Sequence, residues 1–192
     1  MIPDIQKYRQ HWTDLKGEGM TTDTEHLATM WALVEAERPK RIIEVGSYRG
    51  GSAWLWREAL EQGIAQEVHL FDPVIRPELL ALVNGSSKAD GFVLHDYAFY
   101  DFPMTADLIF IDGDHQAGAL ADMLGAVAMG VRIIVAHDSG GYAAEPKMYA
   151  DCWGSWLACN LLRHAPGRTS LEDRVRRPGC RTERGLFISI KQ

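Results

Sequence analysis

Apolar residues along this chain follow two rhythms, short continuous runs and stripes spaced three or four residues apart. Leu27, Met30, Trp31 and Val34 fall on one helical face, opened by a Thr22-x-x-Glu25 capping box and closed at Arg38-Pro39. A five-residue run, Arg41 to Val45, predicts a strand that enters a glycine turn, followed by a helix from Ser52 to about Leu60 that stops at Gly63. The rhythm repeats with a strand over Glu67 to Phe71 and a short helix over Pro77 to Val83, ending at Asn84-Gly85. Phe92 to Leu94 predicts a third strand. Asp107 to Ile111 is apolar enough for a central strand buried on both faces. Ala117, Leu120, Ala121, Leu124, Val127 and Ala128 form the next helical stripe, and Val131 to Ala136 the fifth strand. Met148, Cys152, Trp156 and Cys159 share a helical face before the Pro166-Gly167 break. Candidate strands over Thr169 to Val175 and Gly185 to Ile190 have no helix between them, which predicts an antiparallel pair.

Alternating strands and helices imply an α/β fold with a doubly wound, mostly parallel sheet of seven strands and an antiparallel C-terminal strand. No linker or repeat divides the chain, so the expectation is one domain over 1–192, with 1–23 as an N-terminal extension and 24–192 as the core. The formal charge of -6 disfavours a nucleic-acid partner. No apolar run reaches bilayer length and the N-terminus lacks a basic-then-apolar signal, so neither a membrane partner nor export is expected, and the location is read as cytoplasmic. Cys152, Cys159 and Cys180 contain no C-x-x-C pair and read as reduced packing residues. Trp54, Trp56, Trp153 and Trp156 read as core or interface. A homodimer is compatible with all of this.

The polar residues of interest cluster where strands end: Glu44, Asp72, His95-Asp96, Asp112-Gly113-Asp114-His115 and His137-Asp138. In an open parallel sheet that edge is where ligands bind. The first of these belongs to Glu44-x-Gly46-x-x-x-Gly50, whose spacing differs from the G-x-G-x-x-G dinucleotide fingerprint. A carboxylate placed before the first glycine suits an ammonium or sulfonium ligand better than a diphosphate. S-adenosylmethionine is such a ligand.

Glu44-Val-Gly-Ser-Tyr-Arg-Gly-Gly-Ser52 and Phe110-Ile-Asp-Gly-Asp-His115 resemble the first and fourth motifs of the class I S-adenosylmethionine-dependent methyltransferases. Within that class the resemblance is to the small-molecule O-methyltransferases related to catechol O-methyltransferase, including antibiotic and sugar O-methyltransferases. It implies methyl transfer to an oxygen of a small polar acceptor, such as a phenol or hydroxylated sugar. It also implies cofactor contacts from Glu44, Gly46, Ser47, Gly50, Ser52 and Asp112, ribose binding by Asp72, and adenine contacts from Asp96 and Tyr97. In metal-dependent members of the group, the positions of Asp112, His137 and Asp138 bind a divalent ion, Mg²⁺ or Mn²⁺. Imidazole at position 137 suits Mn, Fe or Zn better than the harder Mg²⁺. His115 stands where catechol-type enzymes carry a basic lysine, so Asp112, His115 and His137 form the expected catalytic set, with either histidine as base. Asp114 also suits a helix cap, Tyr142 an acceptor contact, and the five arginines between 174 and 184 a solvated loop. An NAD-dependent oxidoreductase and a cofactor-binding protein without catalysis are the alternatives.

Overall fold

The computed structural model describes residues 24–139, 146–176 and 183–192. In chain order the elements are α1 (Thr24–Glu37), β1 (Arg41–Val45), α2 (Ala53–Glu61), β2 (Glu67–Phe71), α3 (Pro77–Asn84), β3 (Phe92–His95), β4 (Leu108–Ile111), α4 (Ala117–Ala128), β5 (Ile133–His137), α5 (Pro146–Arg163), β6 (Arg168–Arg176) and β7 (Glu183–Lys191). The expected order of strands and helices is therefore the observed one. The capping box, Tyr142 and Cys180 lie outside the described residues or side chains, as does most of the arginine-rich segment.

Seven strands form one sheet in the order β3-β2-β1-β4-β5-β7-β6. The β1, β2, β3, β4 and β5 pairings are all parallel, while β7 runs antiparallel to both β5 and β6. Strand order reverses between β1 and β4, and that crevice is where a doubly wound sheet presents a ligand site.

Side-chain alternation sends Ile42, Leu108, Phe110, Ile133 and Val135 to one face, against Met30 and Val34 of α1, Trp56 of α2 and Leu79 of α3. Ile43, Val45, Ile109, Ile111 and Ile134 face the other way, onto Met123 of α4 and Leu162 of α5. Burial on both faces explains why the central strands read as unbroken apolar runs. Each such buried side chain contributes ~1.5–3 kcal/mol. Trp54 and Trp56 belong to the first core, whereas Trp156 is exposed.

Backbone bonds extend the ladder past the strand ends. Gly46 N donates to Phe71 O, Asp72 N to His95 O and Asp112 N to Val45 O. Glu44, Asp72 and Asp112 are thereby held level along the carboxyl edge.

One acid lies away from that edge. Asp122 on α4 is buried, and burial pushes its carboxyl up to about 7, although the Tyr100 amide donates to it and lowers it, with Asp114 and Asp101 raising it further. The folded protein thus retains a proton that the unfolded chain releases near pH 4, so stability falls as pH rises from about 4 to about 7. Asp122→Asn is expected to flatten this slope, matching the parent near pH 4 and gaining up to about 4 kcal/mol at pH 8. Urea unfolding at the two pH values measures it.

Candidate active site

Glu44 is the deepest polar group of the edge. It lies on the same strand face as Ile42, so its carboxylate points into the α2 side of the sheet and is fully buried. Ser52 donates to Oε1, while Oε2 is buried without a hydrogen-bond partner. Burial pushes the carboxyl up to about 7; Ser52, Ser47 and the Trp56 indole lower it, and the charge of Asp112 raises it. Such a group gains from a cationic partner.

The turn that follows is tightly built. Gly46 and Gly50 have φ of 86° and 92°, and a Cβ at Gly46 would stand 2.4 Å from Gly113 Cα. Glycine at 46 therefore lets the first and fourth strand-end loops touch backbone to backbone. Between the glycines Tyr48 adopts φ 44°, an uncommon conformation for a bulky residue. This turns its N–H onto Asp72 Oδ2 at 2.7 Å, while Val74 N donates to Oδ1 at 2.9 Å. Two amides thus orient the Asp72 carboxylate and leave it acceptor capacity for a diol. Arg76 stacks over the Tyr48 ring at 4.5 Å. The glycine spacing did not single out Tyr48.

Ser47 and Ser52 are buried beside Glu44, and Asp96 is exposed beyond β3. The Tyr97 hydroxyl lies 2.9 Å from His95 Nδ1, whose ring stacks on Phe71 at 4.0 Å.

Across the switch point, Asp112, His115 and Asp138 converge, each offering a ligand atom within 4.8 Å of the others. His115 Nε2 is 3.5 Å from Asp138 Oδ2, and Asp138 has φ 54°. His137 stands behind this trio, against its two carboxylates. Its side chain is 1% exposed, Nδ1 lies 3.1 Å from Asp112 Oδ1, and Nε2 lies 3.1 Å from His26 Nδ1. The cluster therefore differs from the expected metal set in one residue, with His115 in the place of His137. Asp114 accepts from the amides of Gln116 and Gly118 and caps α4.

The backbone of His115 is gripped as well. Helix α5 breaks at Cys152 (φ −130°, ψ 22°), and beyond the break Gly154 N and Ser155 N donate to His115 O at 3.1 and 3.2 Å. These are N–H groups that a helix restart leaves without an intrahelical acceptor. A Cβ at Gly154 would lie 1.5 Å from Gln116 O, so only glycine fits there.

No family model and no curated relative matches the sequence. Solved structures do. An O-methyltransferase from Bacillus cereus, crystallised with S-adenosylhomocysteine, superposes with TM-score 0.75 at 14% identity, covering 98% of this chain and 90% of that one. The fold is that of an O-methyltransferase. TomG from Streptomyces achromogenes, in complex with S-adenosylmethionine, gives 0.74 at 13% identity over 98% and 89% of the two chains. Podospora anserina methyltransferase PaMTH1 gives 0.66 at 18% over 100% and 89%. The methyltransferase fold thus spans nearly the whole chain and accounts for the antiparallel β6-β7 tail as part of the same sheet. Among the described residues no helix is long and apolar enough to cross a membrane.

Proposed function

We propose that this chain is an S-adenosylmethionine-dependent O-methyltransferase acting on a small polar acceptor in the cytoplasm, with neither nucleic acid nor membrane as partner. The observation that carries the reading is Glu44, a buried carboxylate with one unpartnered oxygen beside a glycine turn that brings Asp112 close. Together they form an anionic recess for the ammonium and sulfonium of the cofactor's methionine end, and Asp72, one strand outward, receives the ribose diol. The bound cofactor supplies an electrophilic methyl group.

His115 then has to weaken the acceptor's hydroxyl. Asp138 takes up Nε2–H of the imidazole, which leaves Nδ1 as the basic nitrogen for the acceptor's proton. His115 is partly exposed, so a ligand can reach it, and the α5 clamp fixes its backbone.

A second reading rests on the trio Asp112, His115 and Asp138. Two carboxylates and one imidazole suit Mn²⁺ or Mg²⁺, and a metal held there would act as a Lewis acid on the acceptor oxygen. Dialysis against EDTA separates the two: loss of turnover restored by Mn²⁺ or Mg²⁺ favours the metal, unchanged turnover favours His115 alone.

Calorimetry with S-adenosylhomocysteine tests the cofactor reading. Absence of binding heat at tens of micromolar protein would overturn it. Acceptors are then sought by methyl-label transfer to a panel of phenols and hydroxylated sugars.

The clamp yields its own prediction. Gly154→Ala should lower turnover by ~10²-fold through displacement of the 115–116 loop, while S-adenosylhomocysteine affinity stays within about threefold. Parallel kinetics and calorimetry on the variant would show whether the two effects separate in this way.

A further inference from the structure

His26 lies in the first turn of α1, is fully buried, and meets the carboxyl edge from 111 residues away in sequence. Its ring stands nearly perpendicular to that of His137, at 80° with centroids 5.1 Å apart, and its Nδ1 is 3.1 Å from His137 Nε2. The other nitrogen of His137, Nδ1, faces Asp112 Oδ1 at 3.1 Å and Asp138 Oδ1 at 3.6 Å.

Ionised carboxylate oxygens accept hydrogen bonds and donate none, so a bare Nδ1 lone pair would be repelled by both. Nδ1 of His137 therefore carries a proton. In the neutral imidazole Nε2 is then the acceptor, and it faces the Nδ1–H of His26. If the His137 ring flipped, carbon would face Asp112 and both bonds would be lost.

We infer that His26 is a positioning residue: by engaging Nε2 of His137 it holds that ring in the orientation that points its Nδ1–H at Asp112. The inference rests on Asp112 belonging to the active edge proposed above. It assigns His137 to orienting Asp112 and leaves His115 as the imidazole that faces the acceptor. Partners of this kind, one bond removed from the reacting groups, commonly change activity by ~10–100-fold.

Imidazole nitrogen NMR on the ¹⁵N-labelled full chain tests this without any acceptor. His137 is expected as the Nδ1–H tautomer, with a through-hydrogen-bond coupling from Nε2 to Nδ1 of His26. In His26→Ala the two carboxylates still favour Nδ1–H, but the ring loses its outer anchor, so the Nδ1–H resonance should broaden and exchange faster with solvent as the ring rotates. His26→Asn, whose amide N–H sits close to where the imidazole Nδ1–H was, should restore the sharp, slowly exchanging Nδ1–H. Turnover should fall ~10–100-fold in the alanine variant and return to within about fivefold in the asparagine variant, with S-adenosylhomocysteine affinity unchanged within about threefold. An Nε2–H tautomer of His137 in the parent or in His26→Asn, or an Nδ1–H resonance in His26→Ala as sharp and slowly exchanging as in the parent, overturns the inference. Should the alanine variant fail to fold, the parent and asparagine spectra decide it. A parent that shows the tautomer but does not bind S-adenosylhomocysteine overturns the cofactor reading instead.

Discussion

His115→Ala is expected to lower turnover by roughly 10²–10⁴-fold while S-adenosylhomocysteine affinity stays within about threefold. The split follows from where the side chain sits. His115 follows β4, three residues beyond Asp112, and pairs with Asp138 at 3.5 Å, whereas Glu44 and Asp72 end the neighbouring strands β1 and β2. Its loss removes a proton acceptor, or a metal ligand, and leaves the carboxylates of Glu44, Asp72 and Asp112 assigned to the cofactor in the chain. Asp138→Asn should act in the same direction with a smaller effect, because an amide oxygen still accepts from the imidazole but does not stabilise its charged form. Single-turnover methyl transfer to the best acceptor from the panel, measured alongside calorimetry, gives both quantities. Unchanged turnover in His115→Ala would move the base elsewhere on the edge.

The strands were legible because their burial on two faces leaves little room for polar residues until the chain reaches the edge. Ile42-Ile43-Glu44 and Leu108 to Asp112 announce both the strand and its functional end. The strand limits moved by only a residue or two. β5 begins at Ile133 rather than Val131 because Val131 N closes the preceding helix by donating to Ala126 O.

What sequence spacing did not convey was direction. His137 and Asp138 are neighbours, yet the first still obeys the strand's alternation and turns inward, while the second leaves the strand at positive φ and turns toward the cleft. His115, three residues after Asp112, is carried back by the turn to complete the trio. His26 was hidden for another reason. It precedes Leu27 on an ordinary amphipathic helix, and its partner lies on β5. The break in α5 was hidden too, since no proline marks it; the acceptor it meets is the backbone of another loop. Tyr48 sat unremarked between glycines that seemed sufficient to make the turn, although its own amide orients Asp72.

Glu44→Gln should weaken S-adenosylhomocysteine binding by ~10²-fold at pH 8, the loss expected when a buried charge-assisted contact to an ammonium becomes a neutral one. The parent protein should also bind more tightly as pH rises. With the Glu44 carboxyl pushed up to about 7 by burial, a proton competes with the ligand's ammonium below that pH, so affinity should improve by up to about tenfold between pH 6 and pH 8, most of it below pH 7, and level off above pH 8. The unliganded fold carries the opposite slope. A carboxyl that holds its proton more firmly when folded loses stability as pH rises from about 4.5 toward 7, and a cation-bearing ligand should offset that loss above pH 7. Glutamine has nothing to titrate, so in the variant both slopes should shrink together and binding should be weak at every pH. Calorimetry at pH 6, 7 and 8 on parent and variant reads the first slope, and thermal unfolding with and without ligand reads the second. Equal affinity at pH 6 and pH 8 in the parent, or full affinity in Glu44→Gln, would mean that the methionine end of the cofactor is held by other groups.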